Sequence, residues 1–259
     1  MKIAVLIKQV PGSDSAFRPS ADELWIDDTQ VQYEMNESDA FALEEALLIK
    51  ENHGSGEVIV VCMGPAERAP RVIREALAKG ADRAIHIVEE SLFETDPHQI
   101  AHILCESIKS ESFDLVLSGL QSVDLGMGQT GILLGAMLGM STATLAMAVE
   151  IKGDKIRVKR ELESGWFQWV TLPLPACISI QSGINTPRYP SLKGIMGAKK
   201  KEIKTINKTD LNLKESLQKV TRIYNLETDK QTEFIEGEPD VQVDRLMDIL
   251  KTKVKVLGA

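Results

Sequence analysis

The chain has 259 residues, 43% of them hydrophobic and 26% charged, a globular profile that fits one large domain or two modest ones. A formal charge of −8 argues against a protein whose main task is gripping nucleic acid, because no net positive field is present. No apolar run is long enough to span a bilayer and the first residues lack the pattern of a secretion signal, so membrane insertion is excluded and a cytoplasmic location expected.

Lys2 to Val10 is a near-continuous β-branched run, predicted as a central strand that ends at Pro11-Gly12. Residues 13–35 form a long excursion with a short hairpin around Trp25, Ile26 and Val31. A helix follows, with Asn36 or Ser38 as N-cap and Phe41, Leu43, Ala46, Leu47 and Ile49 on one side. Glu57 to Met63 reads as a second buried strand stopping at Gly64-Pro65. The next helix turns Val72, Ile73, Ala76 and Leu77 inward and closes at Gly80. Asp82 to Val88 gives a third strand and Ile100 to Ile108 a third helix. Cys62, Cys105 and Cys177 lie far apart among apolar residues and are expected to be buried thiols.

A fourth strand, Leu115 to Leu117, breaks at Ser118-Gly119 into a loop bearing Gln121, Ser122, Asp124, Gly126 and Gly128, and a helix opens at Gln129, Thr130 and Gly131. Such a connection aims backbone N–H groups and the positive end of a helix dipole at one point, which suits a phosphate. It matches neither a Walker loop nor GxGxxG, and an ordinary strand-to-helix turn accounts for this segment equally well. Four alternations of strand and helix predict an α/β fold with a doubly wound, mostly parallel, Rossmann-like sheet. Ligands of such sheets lie beyond the carboxyl ends of the strands, here Ile7 to Val10, Met63-Gly64 and Gly119-Leu120.

After Gly139 the segments Thr142 to Ile151, Lys155 to Glu161, Trp166 to Leu172 and Ala176 to Ile180 read as strands that extend the sheet in an antiparallel sense, with Trp166 and Trp169 as packing residues. From Gly183 to Ile203 there is neither helical nor strand periodicity, and Lys199, Lys200 and Lys201 read as a solvated cluster. The tail from Lys204 is polar until Val241 to Leu250, a short amphipathic helix. A tail of this kind lies over its own domain or embraces a partner. The expected division is a nucleotide-binding domain over residues 1–205 and a C-terminal arm over 206–259.

Several pieces, in this order and spacing, together resemble the small, beta subunit of the electron-transfer flavoproteins: Lys8-Gln9-Val10-Pro11, Asn36 with FALEEAL, Gly64-Pro65, ALAKGADRAI, the loop from Gly119 to Gly131, Arg160-Glu161 and PRYPSLKGIMGAKKK. The resemblance implies an adenine-nucleotide-binding fold, a heterodimer with an alpha subunit that holds most of the FAD, and an AMP of structural role in this chain. It further implies electron transfer from a flavin dehydrogenase, such as an acyl-CoA dehydrogenase, to a quinone oxidoreductase, with no catalytic residue of the chain's own. Carried over position by position, the AMP candidates are Leu6, Asn36, Glu37, Ser38, Asp39 and Met63, with Gly119, Leu120, Gln121, Ser122, Val123, Asp124, Leu125, Gly126, Met127, Gly128, Gln129 and Thr130. The recognition loop for the dehydrogenase maps to 187–201, with Leu192 as its anchor and Pro187, Arg188, Tyr189, Ile195 and Met196 beside it.

This sequence departs from the family at Leu125-Gly126-Met127-Gly128, where many AMP-binding members have acidic residues and Asn, and at Ser164, where a Gly is usual. Ser13 stands near where some members place an aromatic against the flavin, so no flavin contact is assigned. A bifurcating branch of the family carries a second FAD in the AMP site, whereas Gln129-Thr130-Gly131 is closer to the AMP type. Outside the family, an ATP-binding signalling module on a similar sheet is the alternative.

Overall fold

The structure is a computed structural model that describes residues 1–91, 95–211, 213, 216–226 and 232–256. Residues 212, 214, 215, 227–231 and 257–259 of the expected arm lie outside the described residues. By contacts the chain divides into Met1–Ile223 and Tyr224–Ala259.

Among the described residues, the first unit is built on a nine-stranded sheet. Its strands are β1 (Lys2–Ile7), β4 (Glu57–Gly64), β5 (Arg83–Val88), β6 (Leu115–Gly119), β7 (Ser141–Lys152), β8 (Lys155–Glu161), β9 (Phe167–Pro173), β10 (Ala176–Ile180) and β11 (Ile203–Asn207). Their spatial order is β11-β5-β4-β1-β6-β10-β7-β8-β9. β11 through β7 run parallel, and only the β7-β8-β9 end is antiparallel. Alternate residues of β1 feed two cores, as the period of a strand requires. Ile3, Val5 and Ile7 pack with α1 (Glu37–His53) and α2 (Ala69–Lys79), whereas Ala4 and Leu6 pack with α3 (Pro97–Ile108) and α4 (Thr130–Met137). Helices therefore cover both faces, and the fold is the expected doubly wound α/β type.

Four local expectations are corrected. The opening run does not continue as one strand to Val10. At Lys8 the backbone N–H donates to the Asp39 carboxylate at 2.8 Å instead of a sheet neighbour. Gln9–Pro11 then forms β2, which pairs antiparallel with β3 (Tyr33–Met35) in a separate ribbon. Ala176 to Ile180 is not antiparallel: after the β7-β8-β9 meander the chain returns between β6 and β7, so β10 runs parallel to both. Within the segment that showed no periodicity lies α5 (Leu192–Ala198), capped by Ser191 Oγ, which accepts from Gly194 N at 3.0 Å. Lys201 is not a free surface cation, because its ammonium donates to the carbonyls of Leu77 at 2.9 Å and Ala81 at 2.5 Å, where α2 ends.

The polar tail from Lys204 also begins differently from the expectation. Ile203 and Ile206 pack, partly buried, on opposite faces of β11, which adds to the edge of the sheet beside β5. The expected boundary at 205/206 thus falls inside a strand. The second unit carries α6 (Pro239–Ile249), close to the predicted amphipathic helix, with Val241, Val243, Leu246 and Met247 all exposed. Trp166 and Trp169 are exposed too. Trp169 lies under the Arg157 guanidinium at 4.1 Å and is not a core side chain. Cys62, Cys105 and Cys177 are buried free thiols, and burial pushes those of Cys62 and Cys177 up to about 12.

Candidate nucleotide site

The strand order reverses around β1, since β4 and β5 lie on one side of it and β6 on the other, and such a reversal leaves a crevice at the carboxyl ends. A cavity of about 320 Å³ occupies that position in the first unit. Its size falls within the usual range of about 300–1,000 Å³ for small-molecule sites. The floor is apolar, with Leu6 from the end of β1, Met63 from β4, and Ile100 and Leu104 from α3. The loop after β6 forms a wall through Gly119, Leu120, Gln121, Ser122, Asp124, Leu125, Met127, Gly128 and Gln129, and Thr130 and Gly131 begin α4 there.

Close approach dictates the small residues. A Cβ on Gly119 would overlap Ser38 Oγ and Asp39 Oδ1, and one on Gly131 would overlap Ser118 Oγ. Gly128 has φ +62°, a left-handed conformation that other residues adopt only at a cost. The first N–H groups of α4 have no carbonyl of their own helix to bond, so the wall ends in donors. Among the described residues, Ser118 Oγ and Gln9 Oε1 are buried without a hydrogen-bond partner, and both residues line the cavity. Free donors, unsatisfied polar atoms and an apolar floor suit a ligand with an anionic end and a flat apolar end.

The residues at the start of α1 act on the loop. Asn36 is the N-cap position, yet its side chain does not cap the helix. Asn36 Nδ2 donates to Gln121 O at 3.0 Å, its Oδ1 accepts from Val123 N at 3.1 Å, and Ser38 Oγ donates to Gln121 O at 2.8 Å. Asp39 accepts from Gly119 N at 3.1 Å and from Lys8 N at 2.8 Å. Burial pushes its carboxyl up to about 7 against the downward pull of those N–H groups and of Asn36. One short stretch thereby fixes the loop to β1 and β6. Of the remaining candidates, Asn36 and Asp39 line the cavity, whereas Glu37, Ser38, Val123 and Gly126 do not.

Several lining residues were not among the candidates read from the sequence. Lys8 reaches Asp124 at 2.7 Å and Ser122 Oγ at 3.3 Å, bracing the same loop from the other side. Arg68 lies 3.9 Å over the Tyr33 ring, placing both at the rim. Trp25 and the segment Gln218 to Val220 complete it. Lys8 was discoverable as a cation at a strand end, and Arg68 as one just after a strand-ending Gly-Pro; nothing local marks residues 218–220.

The segment 187–201 lies elsewhere. Arg188 forms a bidentate pair with Glu44, Nε to Oε2 at 2.8 Å and Nη2 to Oε1 at 2.9 Å, and reaches Glu51 at 2.6 Å. It is tied to α1, with its side chain half-buried. Pro187 is half-buried. Tyr189 (94% exposed), Leu192 (82%), Met196 (73%) and Ile195 (46%) project outward together.

The family model described as "Electron transfer flavoprotein domain" matches residues 23–211. The chain is similar to a protein from Methylophilus methylotrophus named "Electron transfer flavoprotein subunit beta", with 37% identity over 260 residues, 96% of this chain and 98% of the relative. A protein of the same name from Bacillus subtilis (strain 168) is 35% identical over 239 residues, 90% of this chain and 91% of the relative. Another from Homo sapiens is 37% identical over 216 residues, 82% and 84% of the two chains.

Proposed function

The chain belongs to the electron transfer flavoprotein family, on the side of its beta subunits, and from that premise we propose that it is the AMP-holding half of a heterodimeric electron carrier. Its partner is an alpha subunit that holds most of the FAD. The complex takes electrons from a flavin dehydrogenase such as an acyl-CoA dehydrogenase and delivers them to a quinone oxidoreductase. The flavin supplies the redox chemistry; this chain's residues position and recognise.

The observation that carries the reading is the cavity at the strand ends, with its glycine-walled loop and unsatisfied Ser118 and Gln9. Donors at the start of α4 and the Thr130 hydroxyl suit the phosphate of AMP, and Leu6 and Met63 suit its adenine. Leu125 to Gly128 offer no acidic side chain, so backbone groups carry the polar recognition there. Docking on the dehydrogenase runs through the exposed group around Leu192, one apolar anchor that confers affinity without fixing geometry.

Co-expression with a candidate alpha subunit tests this function. The expected product is a yellow heterodimer whose flavin is reduced by a dehydrogenase and reoxidised by a quinone acceptor. Replacing Leu192 by Ala is expected to raise the KM for the complex in that assay about tenfold while its flavin content stays unchanged. A chain that purifies alone, ignores the alpha subunit and binds ATP contradicts the reading.

A further inference from the structure

We propose that residues 216–223 form a strap across the nucleotide cavity, tied down by Asp96 at one end and Glu23 at the other, and that its release sets the rate at which nucleotide exchanges. The proposal rests on the nucleotide reading of the cavity. It adds residues from a part of the chain to which that reading assigns no role in the site.

The strap lies in neither helix nor strand, so its position depends on its ends. At the first end Asp96 Oδ2 accepts from Leu217 N at 2.6 Å and Gln218 N at 3.0 Å, while Asp96 N donates to Ser216 Oγ at 3.1 Å. The other carboxylate oxygen accepts from Gln99 N at 2.7 Å and caps α3. One buried carboxylate thus joins the strap to a helix whose Ile100 and Leu104 floor the cavity. Burial pushes the Asp96 carboxyl up, but the N–H groups of Gln99, Leu217 and Gln218 and the Ser216 hydroxyl outweigh it and hold it below the ordinary carboxylate range. The anchor is therefore an ionised acceptor at neutral pH.

At the second end Ile223 N donates to Glu23 O at 2.7 Å, and the Arg222 guanidinium pairs with the Glu23 carboxylate at 2.7 Å. Glu23 belongs to the same excursion as Trp25, which lines the cavity. Between the anchors Gln218, Lys219 and Val220 all face the lining, and Lys219 adds a cation where an anionic ligand would enter. A nucleotide beneath the strap leaves only when one anchor lets go.

The experiment uses the full heterodimer loaded with radiolabelled AMP and chased with unlabelled AMP. Wild type is compared with Asp96→Asn and Glu23→Gln. Losing the charge of an acceptor that holds two strap N–H groups is expected to speed exchange about tenfold in Asp96→Asn, and Glu23→Gln is expected to speed it about threefold. Asp96 also caps α3, so a misfolded Asp96→Asn protein leaves the decision to Glu23→Gln, whose site is exposed. Faster exchange with unchanged far-ultraviolet circular dichroism supports the strap. Folded variants that exchange at the wild-type rate overturn it while leaving the AMP site standing. A wild-type complex that retains no AMP overturns the nucleotide reading itself, and the strap with it.

Discussion

Asp39 carries two backbone N–H groups on one buried carboxylate, and the loop after β6 depends on both bonds. Its carboxyl stands at about 7, above the ordinary 3.8, so its contribution to stability is full below about pH 4 and is lost as pH rises through about 7. Urea titrations from pH 4 to 8 should therefore show wild type losing stability relative to Asp39→Asn with rising pH; parallel curves would contradict that sign. Gly119→Ala puts a methyl into Ser38 and Asp39 and is expected to cost about 2 kcal/mol and to empty the cavity of nucleotide, read by denaturation and by mass analysis. Ser164 holds φ +58°, in the left-handed region that favours glycine. Ser164→Gly is expected to gain about 1 kcal/mol, seen as a higher Tm. At this scale the sequence singled out Asn36 to Asp39 but not the bonds they make to the loop after β6, because spacing does not reveal that a side chain serves backbone 80 residues away.

Among the elements, α1 does two jobs: its start fixes the cavity loop, and Glu44 and Glu51 along it hold Arg188. Glu44 is buried, with a side chain 7% exposed, so Arg188→Ala strands a buried charge. The expected cost is about 3 kcal/mol by chemical denaturation, with weaker docking on the dehydrogenase because the Leu192 group loses its base. A variant of wild-type stability would show that the pair is dispensable. The repeated strands and helices up to residue 138 were legible because long apolar runs of period 2 and 3.6 leave few readings. α5 was not, since seven residues with two glycines make too short a period to see. β11 was missed for a similar reason: its two apolar residues, Ile203 and Ile206, are only partly buried, one on each face, and the rest of its sequence is polar. The direction of β10 depends on where the meander returns, which strand patterning leaves open.

For the first unit as a whole, the two ends of the sheet have different tasks. Beyond the carboxyl ends lies the cavity. At the amino ends Glu111 gathers Lys2 of β1 at 2.8 Å, Arg83 of β5 at 2.8 Å and Lys204 of β11 at 3.5 Å. The Lys2 hydrogen bond first, and then Arg83, hold its carboxyl down at about 2, against an ordinary 4.5. The stability it contributes is present above pH 4.5 and is lost as pH falls toward about 2, opposite in sign to Asp39. Glu111→Gln should flatten the acid limb of the stability curve; an unchanged limb would show the network to be idle. Sequence alone brought the fold class and the strand ends into view, because parallel strands with covering helices place ligands in one location. It did not show that residues 218–220 return to line that location.

What the cavity holds separates a simple carrier from a bifurcating subunit. The decisive measurement is to denature the purified heterodimer and identify the released nucleotides by mass and absorbance. One AMP and one FAD per heterodimer, with AMP lost in Gly119→Ala, is the predicted result. Two FAD and no AMP would place a flavin in this cavity and contradict the carrier reading in favour of a bifurcating one.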